Sequence, residues 1–299
     1  MAKMLSRVAP WLASRKDVPD PPGISVRALE WEDTDALRLL AQRDPVTNVF
    51  ILAHLRAAGS AAATSGGAGV LGVFDDGVLA GACWAGANLV PVQLDPALAG
   101  VVAAAASASG RRYASAFGPA DSVLALHAEL VELGHRAHEV RPDQPLMTIG
   151  GPPSVEPNPG LGLGNLADFD RILPACAAMF EEEVGYSPFL GGREFYSRRV
   201  ESLIRQGHSL VHLNDAGEVV FKAELGAVTS DVTQIQGVWM NPLYRGKGLS
   251  SGYMAAVVEQ AQKVAPTTSL YVNGFNTRAR ATYERVGFQQ VGTFATVLF

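Results

Sequence analysis

Apolar and polar positions along the second half of the chain follow two periods, one typical of helices and one typical of strands. The predicted helices cover residues 166–185, 192–207, 250–264 and 277–286. A predicted hairpin covers residues 208–228, and further predicted strands cover residues 233–240, 268–274 and 292–299. This order of elements predicts a mixed sheet flanked by helices.

Three local features sharpen this pattern. Pro174 falls inside the first helix and predicts a kink or the end of a first turn, because proline has no N–H to donate. Phe195, Val200, Leu203 and Ile204 lie at helical spacing and predict the second helix, which ends at Gly207. Gly287 follows the last helix, where glycine is typical of a C-terminus.

The first half of the chain shows nearly the same order of elements. Predicted helices cover residues 34–44, 47–59, 96–110 and 121–134. Predicted strands cover residues 24–29 and 113–118, and three more lie within residues 69–94, with Asp75-Asp76-Gly77 as a turn. An internal duplication whose sequence similarity has been lost would explain this repetition.

A segment rich in proline and glycine separates the halves. Four prolines and three glycines between Ile149 and Leu161 cannot sustain a helix or a central strand. In the first 23 residues several apolar side chains share one helical face, which favours a docked or frayed helix over a membrane anchor. We therefore predict an N-terminal extension (1–23), an N-terminal domain (24–150), a linker (151–160) and a C-terminal domain (161–299).

Composition excludes several classes of protein. Of the 299 residues 48% are hydrophobic and 18% are charged, as in a folded globular chain. The net charge of −5 argues against nucleic acid as a partner, because phosphate binding needs a basic surface. Cys83 and Cys176 show no metal-ligand spacing, so we expect two small buried side chains and no metal site. No apolar run is long enough to span a membrane, and a cytoplasmic protein is expected.

The candidate chemistry lies in the turn MNPLYRGKGLSSG, residues 240–252. Gly246 and Gly248 add no side chains that would keep an anion from the backbone. The helix that follows begins with unpaired N–H groups and the positive end of its dipole, and Arg245 and Lys247 add charge. Such a turn suits a diphosphate. It matches neither the Walker nor the Rossmann glycine pattern, which argues against a nucleotide-binding oxidoreductase.

Two motifs make the C-terminal half resemble the GCN5-related N-acetyltransferases, the GNAT family. The family's acetyl-coenzyme A signature is Arg or Gln, two residues, Gly, one residue, then Gly or Ala. It falls on Arg245, Gly248 and Ser250, with serine in place of the last small residue. The second motif, NTRARATYERVGF, places Asn276 and Tyr283 at the family's spacing.

The resemblance implies an α/β fold with two GNAT-like domains in tandem. Each would be a mostly antiparallel mixed sheet with a splayed central pair of strands, flanked by helices. The arrangement also resembles two-domain actinobacterial acetyltransferases with a weakly similar N-terminal domain. The motifs place the active half over residues 161–299.

The resemblance also implies acetyl-coenzyme A as cofactor. The residues expected to bind it are Val238, Trp239, Met240, Arg245, Gly246, Lys247, Gly248, Leu249, Ser250, Ser251, Asn276 and Tyr283. One N–H of residues 238–240 would stabilise the thioester oxygen, and Gly237 fits a bulge beside it. Tyr283 would protonate the departing sulfur, although a packing role in the core is the alternative. Asn276 lies seven residues earlier, so a helix would place both on one face.

The group that removes the amine proton has several candidates. Strand alternation puts Glu224 and Lys222 on one face, where Glu224 could point into the cleft or both could be solvated. Glu181, Glu182 and Glu183 end the predicted helix 166–185 and would attract a cationic amine, but a solvated charge run explains them too. The Phe299 carboxylate and water are the remaining candidates.

The N-terminal half lacks the turn. Its equivalent strand is followed by Asp95, which would repel a diphosphate, and no basic residue occurs before Arg111. We therefore predict no acetyl-coenzyme A there, and a degenerate domain that shapes the substrate site or pairs with the C-terminal sheet. Asn48, in the polar stretch 43–50, predicts a helix start rather than a pocket.

The sequence thus predicts an N-acetyltransferase that moves an acetyl group from acetyl-coenzyme A to a primary amine by direct attack. The acceptor would be a small molecule, an amino acid or a peptide, and neither nucleic acid nor a membrane is an expected partner. A homodimer is compatible with the sequence. The alternative is a sensor or scaffold that binds an acyl-coenzyme A without turnover.

Overall fold

The computed structural model describes residues 22–64, 66–190 and 192–299, so the helix predicted for the N-terminal extension lies outside the described residues. The strands of the first half are β1 (Ile24–Ala28), β2 (Gly69–Asp75), β3 (Val78–Ala85), β4 (Asn88–Val92), β5 (Ser115–Pro119) and β6 (Glu139–Ile149). Those of the second half are β7 (Gly162–Leu163), β8 (Ser209–Leu213), β9 (Val219–Val228), β10 (Val232–Met240), β11 (Thr267–Tyr271) and β12 (Gln289–Leu298).

Each half also contributes four α-helices within the described residues. Those of the first half are α1 (Thr34–Ala41), α2 (Val49–Ala58), α3 (Ala99–Ala108) and α4 (Ala120–Glu132). Those of the second half are α5 (Phe169–Val184), α6 (Arg193–Arg205), α7 (Ser250–Gln262) and α8 (Thr277–Val286). The predicted mixed sheet flanked by helices is confirmed, as is the repeated order of elements.

Two details of the helices differ from the sequence pattern. Pro174 lies inside α5, and the helix continues past it to Val184 instead of ending there. The buried face of α6 consists of Tyr196, Val200 and Ile204, whereas Phe195 is 79% exposed. Of the residues at helical spacing, Phe195 therefore lies outside the buried face.

The strands of both halves form one continuous sheet. Its order is β1-β2-β3-β4-β5-β12-β6-β11-β10-β9-β8-β7. The last strand of the second half, β12, lies between β5 and β6 of the first half. In return, β6 of the first half lies between β12 and β11 of the second half. Each half therefore completes its sheet with a strand from the other half.

Strand β6 was not predicted, because its sequence is atypical of a central strand. Pro142 and Pro145 interrupt it, and proline usually occurs at strand edges or bulges. The register with β12 shifts where Phe294 pairs with Gln144 and Thr296 pairs with Arg141. This irregularity accommodates Pro142, which cannot donate to a ladder.

The central strands of each half separate after a short parallel contact. β10 pairs with β11 only from Val232 to Gln234, and beyond this point the two strands diverge. β4 pairs with β5 only at Asn88 and Leu89. The predicted splayed pair of strands is therefore present in both halves.

The proline-rich connection between β6 and β7 packs against the second half. Its Ser154 and Asn158 amides donate to the carbonyls of Val286 and Gly252, both at 2.8 Å. This segment is fixed to α7 and α8, and β6 and β12 exchange places between the two halves. The linker predicted at 151–160 therefore lies between two halves of the chain that share one sheet. The domain boundaries drawn from the sequence remain predictions.

Helices cover both faces of the second half of the sheet. α7 and α8 pack on one face in a cluster that includes Phe221 and Leu225. α5 and α6 pack on the other face in a cluster that includes Cys176 and Trp239. Cys83 is buried in the first half, so both cysteines are the buried side chains that were predicted.

Candidate active site

The glycine turn after β10 presents a row of backbone amides. Gly246 and Gly248 both have φ of +75°, a conformation that glycine adopts without strain. α7 begins at Ser250 with Leu249 at its N-cap, and neither serine side chain caps it. Within the described chain, the amides of residues 246–252 donate to no protein acceptor. Free amides at a helix N-terminus are groups that can bind an anion.

The two basic side chains of this turn contact protein groups. Arg245 donates through Nε to the Met240 carbonyl at 2.8 Å and through its terminal nitrogen to both carboxylate oxygens of Glu182, at 2.9 and 2.8 Å. Lys247 lies over the ring of Tyr244, 5.1 Å from its centroid. Arg245 therefore joins the turn to the end of α5.

Strand β10 bulges at the position that its glycine predicted. Gly237 has φ of +58°, and the pairing with β9 skips from Gln236 to Trp239. Gly237 and Val238 together oppose a single residue of β9, and on the other side β11 has already diverged. Backbone groups around Val238 therefore face the gap between the strands instead of a neighbouring strand.

Tyr283 lies on α8 beside this gap. Its side chain is buried, and burial raises the pKa of the phenol to about 12. The hydroxyl has no hydrogen-bond partner among the described protein groups, while its ring contacts Phe288 at 5.9 Å between centroids. Tyr283 is thus a neutral phenol with a proton to donate.

Asn276 lies at the start of α8. It is the N-cap of α8 rather than a residue of the helix, and its side-chain oxygen accepts from the Ala279 amide at 3.2 Å. It therefore precedes the first residue of α8 by one position. Asn276 and Tyr283 border the same gap.

Glu224 and Lys222 are buried under α5 and α6, so the solvated alternative is wrong. The Glu224 carboxylate accepts from Lys222 at 2.5 Å, Arg199 at 3.2 Å and Gln236 at 3.3 Å. Burial alone would raise the pKa of this carboxyl, but Lys222 and Arg199 outweigh it and hold the pKa below its usual range. Glu224 is therefore a charged, fully bonded carboxylate with low proton affinity.

The three acids at the end of α5 take different positions. Glu182 pairs with Arg245 and accepts from the indole N–H of Trp239 at 3.0 Å. Glu183 lines the gap, where its side chain still meets solvent, yet the surrounding walls desolvate the carboxyl and raise its pKa. Glu181 lines none of the cavities around the gap.

Phe299 lies away from this region, contrary to the suggestion that its carboxylate could act as a base. Its ring packs near His127 and His135, at 6.3 and 6.4 Å between centroids. The cause is the strand exchange, which carries the end of β12 into the first half.

Three cavities meet at Val238 and Tyr283. The turn groove, about 540 Å³, is bordered by the glycine turn and the start of α8, including Arg245, Gly246, Ser250 and Asn276. The central cleft, about 520 Å³, is bordered by β6, the end of α5 and the loop after β11. The aromatic pocket, about 550 Å³, is bordered by α5, α6 and the bulge, including Phe180, Phe195, Tyr196, Arg199, Glu183 and Glu224.

The first half supplies part of the central cleft through β6, which sequence reasoning missed. Arg141 pairs with Glu139 at 2.7 Å and donates to the backbone carbonyl of Glu183, also at 2.7 Å. Gln144 accepts from Thr296 at 2.6 Å and donates to Asn273 at 2.8 Å. The hypothesis that the first half pairs with the second sheet is thereby confirmed.

The equivalent region of the first half is built differently. Asp95 accepts from the Ala97 amide at 2.8 Å and so caps the short helix before α3 with a carboxylate. Ser122 of α4 donates to the Leu94 carbonyl at 2.6 Å and ties the helix to the end of β4. Asn48 marks the start of α2, as predicted. In the second half Asn241 caps a short helix as Asp95 does, and accepts from the Leu243 amide at 3.0 Å. Residues 245–249 then separate that short helix from α7, whereas in the first half α3 follows the short helix directly.

Comparison with known protein families assigns the second half. Residues 176–288 match the acetyltransferase (GNAT) family, and residues 68–172 match a domain of unknown function, DUF4081. The C-terminal half therefore carries a GNAT domain, and the members of this family are generally acyltransferases that use an acyl-coenzyme A. No curated protein matches the chain significantly.

Solved structures show the fold of the whole chain. A GCN5-related N-acetyltransferase from Sphaerobacter thermophilus aligns with a TM-score of 0.58 and 19% identity over 93% of this chain and 95% of its own. A GNAT acetyltransferase from Colwellia psychrerythraea gives 0.57 and 11% over 92% and 99%. A tandem GNAT protein from the clavulanic acid biosynthesis pathway gives 0.54 and 14% over 91% and 98%. The chain has the tandem GNAT fold.

The sequence also led to expectations about membranes, location, assembly and single site residues. Within the described residues no helix is long and apolar enough to cross a membrane. Cytoplasmic location, homodimer formation and the individual site residues remain predictions.

Proposed function

We propose that the protein is an N-acetyltransferase that transfers the acetyl group of acetyl-coenzyme A to a primary amine by direct attack. One observation carries this proposal: the unpaired amides, the bulge at Gly237 and the phenol of Tyr283 all border cavities that meet at Val238. A phosphate site, a carbonyl site and a proton donor are thus adjacent.

The residues present fit acetyl-coenzyme A. The free amides of residues 246–252 suit linked phosphates at a helix N-terminus. The unpaired edge of β10 around Val238 offers backbone groups to the amides of the pantetheine arm. Asn276 and Arg278 border the same groove from α8. When bound, this carrier supplies a thioester whose carbonyl carbon is open to attack.

Three groups of the chain would then act on the reaction. The Val238 N–H would stabilise the thioester oxygen as it gains negative charge. Tyr283 would donate its proton to the sulfur as the carbon–sulfur bond breaks. Glu183 would accept the proton that the amine releases as the carbon–nitrogen bond forms. Its raised pKa and its place in the cleft favour it over Glu224, whose pKa is lowered and whose oxygens are already bonded.

A sensor or scaffold that binds an acyl-coenzyme A without turnover remains the second candidate. It needs the phosphate site but neither the phenol nor a proton acceptor. The presence of both beside Val238 favours the enzyme.

The test combines calorimetry of acetyl-coenzyme A binding with thiol release on a panel of primary amines. Gly248→Val forces a branched side chain into a backbone with φ of +75° within the turn. We expect it to weaken binding by about 10-fold or more, because αL strain costs about 1–2 kcal/mol and the side chain crowds the amides. Thiol release at limiting acetyl-coenzyme A should fall in parallel.

Gly110→Val is the matched control. Gly110 has φ of +67° and, like Gly248, an added Cβ would meet no atom within 4 Å. It lies in the first half, so the control should carry similar strain and leave binding unchanged. Equal binding by wild type and Gly248→Val would contradict the proposed phosphate site. Tight binding with no thiol release on any amine would favour the sensor.

A further inference from the structure

A cluster of charged side chains lies at the aromatic pocket. Lys222 and Glu224 are both buried and form an ion pair at 2.5 Å. Arg199 of α6 reaches the other oxygen of Glu224 at 3.2 Å, and 39% of its side chain remains exposed. Two cations thus share the carboxylate of Glu224.

Arg199 has donors to spare. Only one of its terminal nitrogens contacts Glu224, and its other N–H groups have no acceptor among the described protein groups. Because the side chain lines the pocket, these donors are available to a ligand. A guanidinium with free donors is well suited to a carboxylate.

The end of α5 supplies the pocket with a group that favours a cation. α5 ends at Val184, where the negative end of the helix dipole lies and where Arg141 donates to the Glu183 carbonyl. Glu183 adds a carboxylate at the same place, beside Val238 and Tyr283. An amine would be attracted to this end, where the thioester is expected.

The walls of the pocket are aromatic. Phe180, Tyr186 and Tyr196 form edge-to-face contacts at 5.6 and 5.7 Å between centroids. Phe195 is 79% exposed and lines the pocket from α6. A volume of about 550 Å³ is that of a small-molecule site, and an aromatic or bulky apolar group would cover these rings.

We propose that the acceptor is an amino acid with an aromatic or bulky apolar side chain, whose carboxylate pairs with Arg199 and whose amine faces Glu183. This inference rests on the proposed acetyl transfer and specifies the substrate class of the same site. Glu224 and Lys222 act as positioning residues, because they hold Arg199 and touch neither reacting atom.

The test measures thiol release with acetyl-coenzyme A and four amines: phenylalanine, phenylalanine amide, phenethylamine and glycine. Phenylalanine should give the highest kcat/KM. Its amide and phenethylamine, which lack the carboxylate, should fall by about 10-fold or more, as for loss of a hydrogen bond to a charged group. Glycine should fall similarly, because it lacks the side chain.

Arg199→Met separates carboxylate recognition from a general defect. It should lower kcat/KM for phenylalanine about 10-fold, mainly through KM, while phenethylamine changes by less than about 2-fold. Arg199→Lys, which keeps the charge, should restore part of the loss. Arg198→Met is the matched control, since the neighbouring Arg198 is 71% exposed and pairs with Glu194 on the surface. Thermal unfolding checks that each variant is folded.

Two outcomes would overturn the inference without touching acetyl transfer. One is equal use of phenylalanine and phenethylamine by wild type, and the other is an equal loss for both amines in Arg199→Met. Absence of thiol release with every amine would overturn the proposed function and this inference together.

Discussion

In the second half of the molecule β10 bulges at Gly237 and leads into a turn of unpaired amides. In the first half β4 pairs with β3 without any register shift, and the short helix capped by Asp95 leads directly into α3 with no turn between them. Both halves thus have a splayed pair of strands, but they differ in the backbone groups that are free beside the gap. Among the described residues, only the second half has a turn of free amides there.

The helices beside the two gaps, α8 and α4, also differ in the side chain that they carry at equivalent positions. Tyr283 lies seven residues after the N-cap of α8, and the corresponding position after the N-cap of α4 is Leu126. Leu126 is fully buried in the core of the first half, whereas Tyr283 borders three cavities. The fold is therefore repeated, but the side chains for chemistry occur in one copy.

The first half nevertheless takes part in the site. β6 brings Arg141 and Gln144 to the central cleft, and Arg141 holds the backbone of Glu183. The strand exchange is what allows this, because β6 lies between two strands of the second half.

The largest expected effect comes from separating the halves. Residues 1–150 and 151–299, expressed alone, should each fail to show a cooperative unfolding transition, because each sheet would lack the strand that the other supplies. Co-expression should restore a folded complex, as judged by circular dichroism and thermal unfolding. A cooperative transition in either half alone would show that the strand exchange is not needed for folding.

A smaller effect is expected from Tyr283→Phe. Thiol release should slow by about 10- to 100-fold, at the low end of general acid catalysis because a thiolate leaves readily. The affinity for acetyl-coenzyme A, measured by calorimetry, should not change. Since the pKa of Tyr283 is raised to about 12, no loss of activity from its ionisation should appear up to about pH 11.

Tyr113→Phe in the first half is the matched control for the phenol. The Tyr113 hydroxyl donates to the Ala106 carbonyl at 3.1 Å, so its removal should cost about 1 kcal/mol of stability. Its rate of thiol release should equal that of wild type. An unchanged rate in Tyr283→Phe would remove the phenol from the mechanism.

The smallest expected effect is that of Glu183→Gln. Activity should fall as the pH drops through the pKa of Glu183, at a higher pH than for an ordinary glutamate, because burial raises this pKa. The variant should lose this part of the pH profile and slow by about 10-fold, less if water relays the proton. Glu181→Gln, which changes a neighbouring acid outside the cavities, should keep the profile.

The expected effect of Glu183→Gln on thermal stability also has a definite direction. A carboxyl whose pKa is raised by folding binds its proton more tightly in the folded state, so its ionised form lowers stability at neutral pH. Glu183→Gln should therefore be no less stable than wild type in thermal unfolding at pH 7. A marked loss of stability would indicate that the carboxylate has a structural role.

Local chemistry explains why much of the site could be predicted. Glycine tolerates positive φ, and such a φ occurs at Gly246 and Gly248 in the turn and at Gly237 in the bulge. The hairpin turn at Asp76-Gly77 likewise has residues with positive φ. The periodic elements were found because one face of each is apolar. The burial of Lys222 and Glu224 could not be found this way, since alternation identifies a strand face but not what covers it.

The repeated order of helices and strands, the amide turn and the position of Tyr283 could be predicted, because each depends on residues close together in the chain. Three other features could not: the exchange of β6 and β12, the cluster of Arg199, Lys222 and Glu224, and the distance of Phe299 from the cleft. These depend on contacts between distant segments, such as the pairing of Gln144 with Thr296. Such contacts stabilise the protein only when the chain is folded, so no local sequence pattern predicts them.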